Sequence, residues 1–225
     1  MNRLLKTCRS LVKANLIGIM LVCAALAIAI VAGLVVALMW LTAHLVNLNA
    51  GWQNTLLTWS VGLLSGIGGW FMLPALTVLL AGLFQDIVME RVERLDYPHC
   101  TRRVERAFWP EFWYDVRFTG WAVLLNLAVL PCYVFGIGFA LSILLNSYLV
   151  GREFFDIAAG FHLGKMNAQT LRQKHRQTVY GGGLVITCLT LIPLINLLVP
   201  LFALVWMIHV YHAIFAAEDH AYLPQ

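Results

Sequence analysis

Residues 118–151 read FTGWAVLLNLAVLPCYVFGIGFALSILLNSYLVG, a run of 34 residues without one Asp, Glu, Lys or Arg, and Arg152 follows at once. A helix crossing a bilayer takes about 20 residues, so two crossings take about 40 plus a turn, and the run fits neither count. A single crossing would also part Arg117 from Arg152, whereas cationic segments collect on the cytoplasmic side. The middle holds Pro131 and the string Gly136-Ile137-Gly138, residue types that end one helix and open another. A hairpin that enters, turns inside protein at membrane depth and leaves on the same side satisfies length, charge and breakers together.

The same plan extends in both directions. All fifteen Lys and Arg lie in three blocks, 3–13, 91–117 and 152–176, separated by charge-free stretches at 14–85, 118–151 and 177–217. Three basic blocks on one face require every silent stretch to leave and return. Only 12% of residues are charged, against about a quarter in soluble domains, which excludes an ordinary soluble fold. The expected fold is therefore an all-α integral membrane protein. It has two long transmembrane helices at about 16–46 and 56–84, joined by a polar outer connector at 47–55. An interfacial segment at 85–118, a Pro/Gly-broken re-entrant hairpin at 119–150, a second interfacial segment at 151–178 and a second hairpin at 179–217 complete one membrane domain. At 41 residues, the last silent stretch could also form two tight spans. The amphipathic segments lie on the cytoplasmic face, where Trp109, Trp113, Tyr114 and Phe154 suit the headgroup level.

The basic start before the apolar run resembles a signal peptide, but Leu16 to Val46 far exceeds a signal core of about 7–15 residues and reads as a retained anchor. The net charge of +4 raises nucleic acid as a partner. Because the basic residues flank apolar runs and are mixed with acids, they read instead as juxtamembrane groups that meet lipid. The five cysteines are scattered, with no CxxC pair, so neither a disulfide frame nor a thiolate metal site is expected.

No phosphate-binding glycine loop, dinucleotide fingerprint or HExxH occurs, so no nucleotide-driven motor, catalytic residue, cofactor or metal is expected. His209 and His212, with His220 behind Glu218 and Asp219, raise a metal or proton site. The plainer reading is a set of interfacial side chains near a helix end. Glu93, Asp96, Glu105 and Glu111 stand among so many arginines that they read as solvated ion-pair partners.

Two strings carry the functional expectation. In Asn146-Ser147-Tyr148-Leu149-Val150-Gly151-Arg152-Glu153, a polar ladder descends from the membrane boundary into lipid depth, where polar groups line a cavity or bond other helices. An anchor that merely packs helices is the alternative. In Pro193-Leu194-Ile195-Asn196-Leu197-Leu198-Val199-Pro200, Pro200 is placed to open a returning half-helix with Asn196 in the break. Helix N-termini near the midplane, from Pro200 and from the Gly136 region, offer unpaired N–H groups to a small anion. Arg9 and Lys13 are placed to attract it.

These strings, together with Phe84-x-Asp86, Val92-Glu93 and Tyr97-Pro98, resemble the CysZ-type sulfate permease family, related to the etoposide-induced proteins; the likeness is clearest over 84–217. The resemblance implies a bacterial inner-membrane permease with two spanning helices and half-penetrating hairpins, which admits sulfate for cysteine synthesis and works as a homo-oligomer. The family's Gly-Leu-Arg type motif before the first span has no counterpart in Leu11 to Gly18. The rival expectation is a membrane scaffold or assembly factor that binds lipids or partner subunits.

Overall fold

The computed structural model describes residues 3–46, 51–98 and 108–222, and among them there is no strand. The elements are α1 (Arg3–Lys13), α2 (Leu16–Leu45), α3 (Gly51–Asp96), α4 (Phe108–Val129), a 3₁₀ turn (Leu130–Tyr133), α5 (Gly138–Leu163), α6 (Lys165–Lys174), α7 (Arg176–Thr190), α8 (Pro193–Asn196) and α9 (Val199–Tyr222). Helix is the state that satisfies every backbone N–H and C=O within one segment, which apolar surroundings demand. Among the described residues, four helices are long and apolar enough to cross a membrane: α2, α3, the Phe112–Tyr133 stretch and the Val199–Glu218 part of α9. The protein is an all-α, multi-pass membrane protein.

The helix at the second expected span is longer than 56–84. It begins at Gly51, inside the expected connector, and runs unbroken past Phe84 to Asp96. No Gly or Pro follows Gly82 before Pro98, and Val88, Met89 and Val92 are buried along one stripe, so helix continues where an interfacial segment was expected. It stops where Pro98 disfavours helical backbone at the residue before it. Connector residues 47–50 and the stretch 99–107, with Cys100 and Glu105, lie outside the described residues.

The chain forms two compact units, Leu16–Phe84 and Met1–Asn15 with Gln85–Gln225. In the smaller unit, a Cβ on Gly62 would meet the Met39 sulfur at 2.6 Å, and one on Gly69 would collide with Val31. As the α3 position advances from 62 to 69, its α2 neighbour falls from 39 to 31, so the helices run antiparallel. A Cβ on Gly66, four residues beyond Gly62, would meet nothing within 4 Å.

In the larger unit α9 is the central helix. Of its apolar window 78% is buried, whereas none of the Phe112–Tyr133 window is. Helices α1, α5 and α7 pack against α9. After α4 the chain breaks through the Leu130–Tyr133 turn and Gly136, whose φ of 75° is a backbone state that glycine adopts without strain. A second break follows α7. Ile192 is extended ahead of Pro193, which opens α8, and Pro200 sits in the first turn of α9.

The tightest contact is the crossing of α5 and α7. A Cβ on Gly151 would sit 2.9 Å from the Val179 carbonyl oxygen, and one on Gly183 would run into the Ser147 carbonyl and the Gly151 backbone. Both obstacles are main chain, so no rotamer change relieves them. Gly183→Val is therefore expected to cost about 1–3 kcal/mol or more and to lower the unfolding midpoint in detergent by several degrees. Gly181→Ala, in open space on the same helix, should leave it unchanged. Thermal unfolding of the two variants by intrinsic fluorescence checks the contrast.

A cationic cavity as candidate functional site

The α5–α7 crossing places Arg152, next to Gly151, beside α6 and the start of α7. There a cavity of about 660 Å³ is lined by Tyr148, Arg152, Arg172, Arg176 and Tyr180, with Gln169, Gln173 and Gln177 between them. Positions 169, 172, 173, 176 and 177 are one helical face at i, i+3, i+4, i+7 and i+8, carried across the α6–α7 junction at His175. That periodicity is visible in the sequence; sequence reading took these arginines for interfacial charge. Of the residues expected to contact an anion, Tyr148 and Arg152 line the cavity and Gly151 makes it possible.

Glu153 points to the other side of α5. It lines a second cavity, of about 540 Å³, with Asp115, Asp156 and Lys165. Arg9 and Lys13 are exposed on α1, Asn146 is exposed on α5, and Pro193, Asn196 and Pro200 sit at the second break; none of these six borders the cationic cavity. The structure thus separates the polar ladder, whose outer half forms the site, from the hairpin tips.

One buried carboxylate organises the arginines. Asp156 Oδ1 accepts from Arg172 Nε at 2.9 Å, and its Oδ2 accepts from the Tyr114 hydroxyl at 3.0 Å. Arg152 Nη2 donates to the same hydroxyl at 3.1 Å, and its guanidinium lies 3.9 Å over the Phe118 ring. Arg152 Nε, 3.6 Å from Asp156 Oδ2, is buried and makes no hydrogen bond. Burial pushes the Asp156 carboxyl up, and the Arg172 guanidinium works against that shift. Three guanidiniums against one carboxylate leave two positive charges (3 − 1 = 2) toward the cavity, beside tyrosine hydroxyls and glutamine amides. Planar guanidiniums bind oxyanions in pairs of hydrogen bonds, and neutral amides complete the shell without choosing a charge. Nothing in the arrangement supplies a nucleophile with its base. Tyr114 had no sequence signal, because its partners lie 38 to 58 residues away in the chain, and for Asp156 only the i,i+4 spacing to Arg152 was local.

The acids near the end of α3 are not the solvated partners expected. Glu93 is 6% exposed, and its Oε1 lies 2.5 Å from His162 Nε2 and 3.2 Å from His212 Nε2. Asp96 accepts from the Ser10 hydroxyl. His209 and His212, paired by spacing, part company: His209 Nε2 meets Ser10 Oγ at 3.0 Å and its Nδ1 meets the Tyr97 hydroxyl at 2.9 Å. The side chains of Glu111 and His220 lie outside the described residues.

An all-α, multi-pass chain with a cavity lined by arginines, tyrosines and glutamines is consistent with a membrane transport protein. Residues 3–200 match the family described as sulfate transporter CysZ/etoposide-induced protein 2.4, and the chain belongs to it. No curated protein and no solved structure matches the chain.

The concave setting of Glu153 strips water from its carboxyl although the side chain opens into the cavity, and with Asp115 nearby its proton is held above the usual carboxylate range. The folded chain then keeps this proton to a higher pH than the unfolded chain, whose glutamates release theirs near about 4.3. Stability from this group is present at low pH and declines as pH rises through that window. Glu153→Gln imitates the protonated form. Its unfolding midpoint should exceed that of the native protein at pH 7.5, and the gap should shrink at pH 4.5, as read by differential scanning fluorimetry.

Proposed function

We propose that the chain is a permease for a small inorganic oxyanion, sulfate foremost, in a bacterial inner membrane, and that it supplies sulfur for cysteine synthesis. The observation that carries the reading is the cavity where Arg152, Arg172 and Arg176 meet Tyr148 and Tyr180. A doubly charged tetrahedral anion loses much hydration on entering protein, and two net positive charges with several neutral donors replace it. Arg9 and Lys13, exposed on α1, raise the local anion concentration. Farther along the path the N-terminal ends of α5 and α9, at Gly138 and at Pro200 beside Asn196, offer backbone N–H groups.

The lengths of α4, α5 and α7 support re-entrant hairpins, while the charge-free part of α9 (199–217), about 29 Å at about 1.5 Å per residue, comes close to a full crossing. The charge-free parts of α4 (118–129), α5 (138–151) and α7 (177–190) are about 18, 21 and 21 Å long at about 1.5 Å per residue, short of a hydrocarbon core of about 30 Å. The hairpins then leave and return on the cytoplasmic face, where the three basic blocks lie. The Phe112–Tyr133 stretch, whose apolar window has no buried residue and carries Trp121, Leu124 and Leu127 outward, faces lipid or a second copy of the chain, which favours a homo-oligomer.

Radiolabelled sulfate uptake into proteoliposomes tests the function. Uptake above empty vesicles is expected, with Arg176→Gln weakening apparent sulfate affinity about tenfold while the protein stays folded. Uptake no greater than in empty vesicles would favour the scaffold reading. The topology has its own test in a cysteine-free background. Single cysteines at 51–55 should react with an impermeant reagent from outside, and cysteines at 134–138 and 195–197 should not. External labelling at all three places would mean six full crossings.

A further inference from the structure

We infer that Glu93, His162 and His212 form a binding site for one divalent transition-metal ion of the zinc class, separate from the anion cavity. The three side chains come from α3, α5 and α9, their donor atoms lie within 4.8 Å of one another, and all three residues are buried. Two imidazole nitrogens and one carboxylate oxygen are a zinc donor set, and three protein ligands leave a fourth position for water. Both histidines present Nε2 to the same Glu93 oxygen. Their ring planes are held from outside: Tyr97 stacks on His212 at 3.8 Å between centroids, and Tyr211 lies parallel to His162 at 5.4 Å. Fixed rings aimed at one point are what a metal site requires of its supporting layer.

Zinc–ligand bonds of about 2.0–2.2 Å at tetrahedral angles set donor atoms about 3.3–3.5 Å apart. The His212–Glu93 separation of 3.2 Å is already close to that, the His162–Glu93 separation of 2.5 Å would widen by about 1 Å, and the two histidine nitrogens already lie within 4.8 Å of each other. No thiol takes part, which distinguishes the site from cysteine-rich structural zinc sites and suits an ion that ties three helices together. Sequence spacing pointed to His209 with His212, but His209 is engaged by Ser10 and Tyr97, and the partners of His212 lie 50 and 119 residues away in the chain.

The test uses the full chain, purified in detergent with any affinity tag removed, stripped with chelator and titrated with ZnCl₂. One zinc per chain should survive desalting, and the unfolding midpoint should rise by about 5 °C or more. CoCl₂ should give the visible absorption of a tetrahedral ion, bleached by one equivalent of zinc. That reading needs no variant to fold. His162→Gln and His212→Gln should each reduce retained zinc at least tenfold, while His209→Gln and His175→Gln keep it. Failure of the native chain to retain zinc, with no cobalt spectrum and no thermal shift, would overturn the assignment and leave a hydrogen-bonded cluster. So would retention by the His162 and His212 variants, since the metal would then sit elsewhere.

Discussion

Where α5 crosses α7, the backbones approach so closely that neither Gly151 nor Gly183 has room for a methyl group. Such an approach is the normal way for helices to gain dispersion energy where lipid tails remove any hydrophobic gain. Here it has a second effect. Helix α7 follows α6 through the single residue His175, so fixing α7 against α5 also fixes the Gln169–Gln177 face. Arg152, one residue after Gly151, arrives next to Arg172 and Arg176 because main chain touches main chain. Widening the crossing by one side chain would move the arginines apart and loosen the two-point recognition that guanidiniums give an oxyanion.

Bringing like charges together is costly, and Asp156 makes it tolerable. Its carboxylate holds Arg172 directly and reaches Arg152 through the Tyr114 hydroxyl. A lone buried carboxylate or guanidinium would cost several kcal/mol, so the group is stable only as a set. The Tyr114–Asp156 wall also sorts charge between the two cavities. One side shows arginines and amides, and the other shows Asp115, Glu153 and Lys165. The two sides of α5 therefore carry different charge, a surplus of guanidiniums on one and a mixed acid–lysine lining on the other.

Much of this plan was legible in residue order. Charge-free runs gave the helical membrane class, and Pro131 with Gly136, then Pro193 with Pro200, mark the places where helices break, because proline and glycine act locally. Of the Asn146–Glu153 ladder, Tyr148 and Arg152 line the arginine cavity, whereas Asn146 is exposed and Glu153 lines the other one. What residue order hid were pairings across long separations. Asp156 joins residues 16 to 42 positions away, and Glu93 joins histidines 69 and 119 positions away. The overrun of α3 to Asp96 was missed for a related reason. A charged, amphipathic string looks interfacial until Val88, Met89 and Val92 are seen to be buried on one side of it.

Glu93 and Asp156, the buried carboxylates among the described residues of the larger unit, are balanced by different chemistry. Asp156 faces guanidiniums, which are charged at every physiological pH, so its site is electrically complete as built. Glu93 faces imidazoles, which are neutral when they act as ligands and carry no permanent charge to offset it. A carboxylate sealed among imidazoles needs positive charge, from protons on the rings or from a bound cation, and burial makes that need strong. A dication at the three converging donors meets it and leaves one positive charge to spare (2 − 1 = 1). The surplus would raise the potential of the helix bundle that also carries the arginine cavity. On this reasoning Asp156 is balanced by permanent charge, and Glu93 by charge that can be taken up or released.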